Sequence, residues 1–273
     1  MIPASFEYVR VDSVREAISA LAEHGEDAKL LAGGHSLLPL MKLRLATPSV
    51  LVDLGRVPDL SYVRDEGEHI AIGALTRHHD VNHDPILAEH APLLAHVAGR
   101  VGDPQVRHRG TIGGSLAHGD PASDLPAVVL ALGGTMVARG PGGERSIAAA
   151  DFFQGFLETA LAPDELLTEI RLPKTGAAGW SFQKFNRRAQ DWAIVGVAAA
   201  RLNGGVGIGL VNMGSTPLRA TGAEQAVAGG ASPTEAAAHA ADGLDPPADL
   251  NASPDFRRHL ATVLVRRALE ECG

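Results

Sequence analysis

Two short glycine-rich motifs constrain this chain more than any other feature of its sequence. Ala32-Gly33-Gly34-His35-Ser36 follows an apolar run typical of a buried strand, and Thr111-Ile112-Gly113-Gly114-Ser115 comes later in the chain. Glycine permits positive φ and lets backbone N–H groups approach an anion closely, and the flanking hydroxyls add hydrogen-bond donors. Each motif alone is equally consistent with a tight turn. Together they favour a dinucleotide ligand, because a long diphosphate needs two such contacts.

The motifs do not match three other phosphate-binding or nucleophile signatures. Neither has the G-x-G-x-x-G spacing, and neither is followed by Gly-Lys-Ser or Gly-Lys-Thr. Gly34-His35-Ser36 also lacks the second glycine that a nucleophile elbow requires. The sequence therefore argues against a Rossmann motif, a P-loop and an α/β-hydrolase nucleophile.

The composition is that of an acidic globular protein of about two domains. The chain has 273 residues, a formal net charge of -8 and one cysteine, Cys272. The charge disfavours nucleic-acid binding, and one cysteine excludes disulfides, Cys-based zinc sites and iron–sulfur clusters ligated within the chain. The longest apolar run, Ala193–Ala200, is too short for a transmembrane segment, and residues 1–7 do not form a signal peptide. We expect a cytoplasmic protein, with association at the inner face of the membrane left open.

The N-terminal part alternates predicted helices and strands. Ser13 and Glu16 have the spacing of a capping box for a helix over 12–25. Strands are predicted at 29–32, 49–54, 70–74, 135–138, 146–147 and 169–173. Helices are predicted over 76–100 and from Asp124 to Leu132, and the segment 174–179 is the best linker.

Beyond this linker the pattern changes. The apolar runs 192–202 and 206–211 flank Asn203-Gly204, which is a strong hairpin signal. Alanine-rich helices are predicted at 221–228 and 233–242. A last helix begins after the cap Ser253, with arginines on the side opposite its apolar face. The sequence thus predicts an α/β region followed by a smaller α+β domain.

Three further polar segments are candidates for a site. Asp124 could accept hydrogen bonds from a sugar or cap a helix, and both can hold at once. Histidines in the segment 78–83 have partial metal-ligand spacing, but a solvated helix face is favoured because no HExxH pattern supports them. The stretch Lys184–Trp192 reads as a charged surface loop, with a ligand-facing loop as the second interpretation.

Taken together, these motifs resemble those of the FAD-binding medium subunits of the molybdenum hydroxylases, the group of carbon monoxide dehydrogenase and xanthine dehydrogenase. The resemblance runs nearly end to end. It is carried by Phe6-Glu7-Tyr8, the stretch 31–39, Lys42-Leu43-Arg44-Leu45-Ala46, the stretches 51–53, 72–76 and 105–107, Gly110 to Ser115, Asp124-Leu125-Pro126, Glu165-Leu166-Leu167, the loop 187–193 and Arg266-Arg267-Ala268-Leu269.

The resemblance implies an α+β fold in two parts. The first is a two-lobed FAD-binding domain of the vanillyl-alcohol oxidase (PCMH) type over 1–175, with lobes at about 1–55 and 56–175. The second is a small α+β domain over 178–273 with an antiparallel sheet and helices. FAD is expected to be non-covalent, with no catalytic residue and no metal site in this chain. The implied FAD contacts are Leu31, Ala32, Gly33, Gly34, His35, Ser36, Leu37, Val101, Thr111, Gly113, Gly114, Ser115, Asp124, Leu166, Lys184, Asp191 and Trp192.

One implied contact departs from the family pattern. Val101 stands where the xanthine dehydrogenase branch has an aromatic residue over the flavin ring. We expect Trp192 to cover one face of the ring instead.

The resemblance also implies an electron-transfer role for an oxidoreductase subunit. A molybdenum-binding large subunit oxidises the substrate, and a small subunit with two [2Fe–2S] clusters relays electrons to the FAD. The FAD then passes them to quinone, NAD or oxygen, and a dimer of heterotrimers is expected. The alternative is a self-sufficient flavin oxidase with flavin linked to His35, although the alanine-rich C-terminal part offers few acid–base residues for it.

Overall fold

A computed structural model describes residues 2–273 and begins with a small parallel α/β lobe. The predicted helix forms because Ser13 Oγ accepts the N–H of Glu16 at 3.2 Å, while the Glu16 carboxylate accepts the N–H of Asp12 at 2.9 Å. The sheet has the order β1-β3-β2 with parallel neighbours. The elements are β1 (Glu7–Arg10), α1 (Val14–His24), β2 (Ala28–Leu31), α2 (Leu37–Lys42) and β3 (Val50–Asp53).

The second lobe is built on an antiparallel sheet with one face covered by helices. The elements are β4 (Val63–Asp65), β5 (His69–Gly73), α3 (His78–His83), α4 (Pro85–His90), α5 (Pro92–Ala98), α6 (Pro104–Arg109), α7 (Ile112–His118), α8 (Asp124–Ala131), β6 (Thr135–Gly140), β7 (Gly143–Ala148), α9 (Ala149–Phe152), β8 (Phe153–Gly155), β9 (Glu158–Thr159) and β10 (Leu166–Pro173). The main sheet has the order β4-β5-β10-β6-β7, and β8 pairs with β9 in a separate hairpin.

The helix predicted over 76–100 is wrong as a single element. Two prolines divide it into α3, α4 and α5, because proline has no N–H and disfavours helical backbone in the residue before it. The Asp84 carboxylate caps α4 by accepting the N–H groups of Ile86 and Leu87 at 2.9 and 3.1 Å. The second lobe therefore has short helices with several ends, and those at His78, Thr111 and Asp124 border the cavity described below.

The C-terminal part has a four-stranded antiparallel sheet covered by helices. The order β11-β12-β13-β14 follows the chain. The elements are β11 (Trp180–Phe185), β12 (Val195–Leu202), β13 (Gly205–Val211), β14 (Leu218–Arg219), α10 (Thr221–Ala228), α11 (Pro233–Ala237) and α12 (Pro254–Glu271). Among the helices of residues 2–273, none combines the length and apolar character that crossing a membrane requires.

Three C-terminal expectations differ from the structure. The segment 192–202 becomes a strand only at Val195, and Trp180–Phe185 is a strand that the sequence pattern did not reveal. The helix predicted over 233–242 is limited to Pro233–Ala237. The arginines of α12 do not all face solvent, because Arg257 is fully buried. The hairpin at Asn203-Gly204 is confirmed, with Gly204 at φ 99°.

Helix α8 joins the two parts of the chain by packing against β13. A Cβ atom on Gly207 would lie 1.9 Å from Ala131 O, and one on Gly209 would lie 1.9 Å from Ala127 O. The two glycines therefore let the strand touch the backbone of the helix. This contact matters for the site, because Asp124 is the first residue of α8.

Candidate functional site

Both glycine motifs border one cavity of about 880 Å³. A Cβ on Gly33 would lie 2.2 Å from Arg109 O, so the first motif rests directly on the chain that leads into the second. A Cβ on Gly114 would lie 3.7 Å from the Ala32 Cβ. The two motifs therefore converge as the sequence predicted, and they leave open space beside them for a ligand.

The first motif is a ready anion-binding turn. Gly34 has φ 78°, and this positive value turns successive N–H groups towards the same side of the chain. The consecutive N–H groups from Gly33 to Leu37 have no acceptor within residues 2–273, and all of these residues line the cavity. Unpaired backbone donors at a cavity wall indicate a ligand that accepts hydrogen bonds.

The second motif differs from this expectation, because its N–H groups are used internally. Its first turn belongs to helix α7, and each N–H there has a partner: Ile112 donates to Thr76 O (3.0 Å), Gly113 to Ala74 O (2.8 Å), Gly114 to Thr111 Oγ1 (3.1 Å) and Ser115 to Thr111 O (3.0 Å). The idea that both motifs offer free amides is therefore wrong for the second. It offers the cavity a surface without side chains and the hydroxyl of Ser115.

A buried ion pair forms another part of the wall. Lys184 Nζ lies 2.6 Å from Asp124 Oδ2, and the side chains are 4% and 6% exposed. Burial raises the pKa of the Asp124 carboxyl, while the charge and hydrogen bond of Lys184 oppose that rise. Asp124 Oδ1 has no partner within residues 2–273 although it is buried. The pair thus presents an unused acceptor next to the cavity.

Two histidines on this wall were not predicted as contacts. His78 is buried, its Nδ1 has no partner in the described chain, and burial together with the charges of His35, Arg107 and Arg77 lowers its pKa to about 4. Burial likewise lowers the pKa of His118.

The solvated helix face that we favoured for the 78–83 segment is therefore wrong for His78. Val81, three residues on, shares the buried face of α3. That spacing is the signal in the sequence that could have placed His78 inside.

The last part of the wall comes from the C-terminal sheet. The loop after β11 brings Asp191 and Trp192 to the cavity, and the Trp192 side chain is 58% exposed. Arg188 Nε lies 3.0 Å from Asp191 Oδ2, and this hydrogen bond lowers the pKa of Asp191. The surface-loop interpretation and the ligand-facing one therefore both describe this segment. Lys184, in contrast, lies within the strand β11.

Every residue named above as an FAD contact borders this cavity, including Val101 and Leu166. Hairpin β8–β9 adds Leu157, Glu158 and Thr159, for which the sequence gave no signal. The residues present fit a dinucleotide on three grounds. The unpaired N–H groups from Gly33 to Leu37 suit a diphosphate. His78 Nδ1 and Asp124 Oδ1, which have no partner within residues 2–273, can form hydrogen bonds with polar groups of the ligand. The glycines let the walls of the cavity approach each other closely, because a Cβ on Gly33 would lie 2.2 Å from Arg109 O.

Comparison with known proteins decides the family. Residues 4–175 match the FAD binding domain in molybdopterin dehydrogenase, and residues 180–272 match the CO dehydrogenase flavoprotein C-terminal domain. The carbon monoxide dehydrogenase medium chain of Hydrogenophaga pseudoflava is 43% identical, over 98% of this chain and 97% of that protein. The chain belongs to the FAD-binding medium subunits of the molybdenum hydroxylases. It is thus an oxidoreductase subunit with an FAD-binding domain, and the predicted α+β fold class is confirmed.

Other similar proteins and solved structures carry the names of enzymes for different substrates. The glyceraldehyde dehydrogenase medium chain of Sulfolobus acidocaldarius is 36% identical over 99% of both chains. Carbon monoxide dehydrogenase from Hydrogenophaga pseudoflava superposes with a TM-score of 0.95 at 44% identity, covering 100% of this chain and 98% of that one. Quinoline 2-oxidoreductase from Pseudomonas putida 86 superposes at 0.91 with 33% identity, covering 100% and 98%. The same fold is thus found in proteins whose names carry different substrates.

Proposed function

We propose that this chain holds FAD without a covalent bond and passes electrons through it. The electrons come from [2Fe–2S] clusters of a small partner subunit and leave to quinone, NAD or oxygen. The observation that carries the proposal is the single cavity in which free amides, the Asp124–Lys184 pair and the Trp192 loop meet. When bound, FAD supplies the redox chemistry that couples a one-electron donor to a two-electron acceptor.

Each wall of the cavity has a distinct task in this proposal. The N–H groups from Gly33 to Leu37 hold the diphosphate, with the hydroxyl of Ser115 beside them. Asp124 Oδ1 accepts a hydroxyl hydrogen bond from the cofactor, and Lys184 holds the carboxyl group in place through its contact with Oδ2. Asp191 and Trp192 border the ring and leave part of the cavity open to a partner.

The same proposal assigns the organic oxidation to another chain. We infer a molybdenum-binding large subunit and an iron–sulfur small subunit as partners, assembled as a dimer of heterotrimers. In support, relatives are named medium chains, which is a name for one part of a larger assembly. Carbon monoxide, an N-heterocycle or an aldehyde would then be chosen by the large subunit.

The test begins with the complex purified by a tag on this chain. Acid precipitation releases a non-covalent flavin into the supernatant, so yellow supernatant is expected. Flavin retained on the pellet, and lost in a His35→Ala variant, would instead support the alternative of an oxidase with covalently linked flavin, since His35 lies on the cavity. A colourless chain that binds no added FAD would reject both. Anaerobic reduction of the complex, followed by addition of NAD, a quinone or oxygen, identifies the acceptor.

A further inference from the structure

Asn212 makes two hydrogen bonds near the cavity, and one of them joins the two parts of the chain. It follows the last residue of β13 and has φ 61°, a left-handed value that asparagine tolerates better than most residues. Its backbone N–H donates to Pro121 O at 2.7 Å, and its Nδ2 donates to Ala193 O at 3.0 Å. The left-handed turn at Asn212 is what allows one residue to reach both acceptors.

These two acceptors lie next to residues that border the cavity. Pro121 lies in the turn that leads into Asp124, and Ala193 directly follows Trp192. Ala193 is buried, whereas Trp192 is 58% exposed. The bond from Asn212 therefore anchors the inner end of a loop whose outer part lies over the cavity. Asn212 thus connects two walls of the cavity that come from distant parts of the sequence.

Arg257 supports the same segment from behind. Its guanidinium is 0% exposed and donates to Ile194 O, the carbonyl next to the one that Asn212 holds. It also lies 2.7 Å from Asp249 Oδ2 and 3.5 Å from Asn212 O. A buried guanidinium must satisfy its donors, so these acceptors are held in place. Arg257 Nε has no partner within residues 2–273, so burial of this N–H donor lowers the stability of the fold.

We propose that Asn212 is a positioning residue that sets how Asp191 and Trp192 face the flavin, with Arg257 as its support. The inference rests on the proposed function, because it places the flavin beside Trp192. A purely structural Asn212 would affect folding but would leave the environment of the bound flavin unchanged. The two roles are separated by the spectrum of the flavin rather than by activity.

The experiment uses two variants of the full chain loaded with FAD. Asn212→Gly keeps the left-handed φ and the N–H bond to Pro121 but removes the bond to Ala193 O. Asn212→Asp keeps the shape, but its ionised carboxylate cannot donate to that carbonyl. We expect both to bind FAD about three- to tenfold more weakly, as the loss of one neutral hydrogen bond predicts. We also expect changed flavin fluorescence and visible circular dichroism. Asn203→Asp, at the exposed turn before β13, is the matched control.

A pH series and a second background test the assigned cause. A protonated aspartic acid can donate, so the Asn212→Asp spectrum should return towards the wild-type one as the pH falls from about 7 to about 5, since the facing carbonyl raises that carboxyl pKa. Asn203→Asp should show no such recovery. In a Trp192→Phe background, Asn212→Gly should produce little further change, because the signal it alters comes from the indole.

The outcomes separate this inference from the proposed function. Wild-type-like flavin spectra in both Asn212 variants, or an equally large change in the Trp192→Phe background, would overturn the positioning role while FAD binding stands. A wild-type chain that takes up no FAD would overturn both. If Asn212→Asp fails to fold, Asn212→Gly and Arg257→Lys decide, since each weakens the hold on residues 193–194 without placing a negative charge there.

Discussion

At the scale of single residues, the site is defined by which polar atoms lack partners. Four N–H groups at the start of α7 are satisfied by the protein, whereas those from Gly33 to Leu37 find no acceptor among residues 2–273. Two motifs that look alike in sequence therefore have different tasks. One binds the anion directly, and the other brings a helix close enough for the cavity to form.

The close approach at Gly113 gives a first prediction. A Cβ there would lie 2.5 Å from Ala74 Cβ and 2.6 Å from Ala74 O, so α7 must move away from the end of β5. We expect Gly113→Ala to lower the free energy of unfolding by about 1–3 kcal/mol and to weaken FAD binding. Urea unfolding measures the free energy of unfolding, and fluorescence titration measures the affinity for FAD. Gly142→Ala should change neither quantity, because a Cβ on Gly142 would meet no atom within 4 Å. Equal changes in the two variants would contradict this prediction.

His78 gives a prediction about pH. Its pKa is about 4 in the folded chain and close to 6.5 when unfolded, so between these values the unfolded chain binds the extra proton. Stability from this group is therefore complete above pH 6.5 and is lost on acidification. Lowering the pH from 7 to 5 should lower the free energy of unfolding by about 2 kcal/mol through His78, and His78→Gln should abolish that loss.

Urea unfolding of the FAD-free chain at both pH values measures the effect of His78. The control is His259→Gln, because that histidine is exposed on α12. The same acid-induced loss in wild type and in His78→Gln would show that His78 is not the group responsible.

At the scale of elements, one buried ion pair fixes β11 against α8. Lys184 and Asp124 are separated by 60 residues, and neither element has another buried charge to offer its partner at this point. A buried pair of this kind adds little net stability over apolar residues, but each member depends on the other. The pair therefore specifies the register of the two elements around the cavity.

Removing one member of this ion pair should lower the free energy of unfolding strongly, whereas replacing both members with apolar residues should not. Lys184→Met leaves a buried carboxylate and should lower the free energy of unfolding by about 3–5 kcal/mol, whereas Asp124→Leu with Lys184→Met should recover most of the loss. FAD affinity should stay low in both. The exposed pair Arg258–Asp255 is the control, because Arg258→Met should cost about 1 kcal/mol or less. A double variant no more stable than Lys184→Met would refute the pairing argument.

At the scale of the whole molecule, the site exists only where the two parts of the chain meet. The cavity takes its amides from the first lobe, Asp124 from the second and Trp192 from the loop after β11 in the C-terminal part. Helix α8 connects them, because its backbone touches β13 through Gly207 and Gly209. Disturbing that contact should affect stability and cofactor binding together.

Two glycines of β13 provide a matched test. A Cβ on Gly209 would lie 1.9 Å from Ala127 O, whereas one on Gly205 would meet no atom within 4 Å. Gly209→Ala should lower the free energy of unfolding by about 1–3 kcal/mol or more and weaken FAD binding, because α8 carries Asp124. Gly205→Ala should change both only slightly. Thermal unfolding and FAD titration of the two variants decide, and loss of stability with normal FAD affinity would contradict the coupling.

The sequence by itself determined the features that depend on neighbouring residues. Ser13 caps its helix, Asn203-Gly204 makes its hairpin and Gly34 takes positive φ, because each signal acts within a few positions along the chain. The family motifs likewise located the residues that border the cavity. Tertiary structure alone decided which donors stay free, why Arg257 is buried and that Trp180–Phe185 is a strand. Those outcomes depend on partners far along the chain, since burial and hydrogen bonding are properties of the packed molecule.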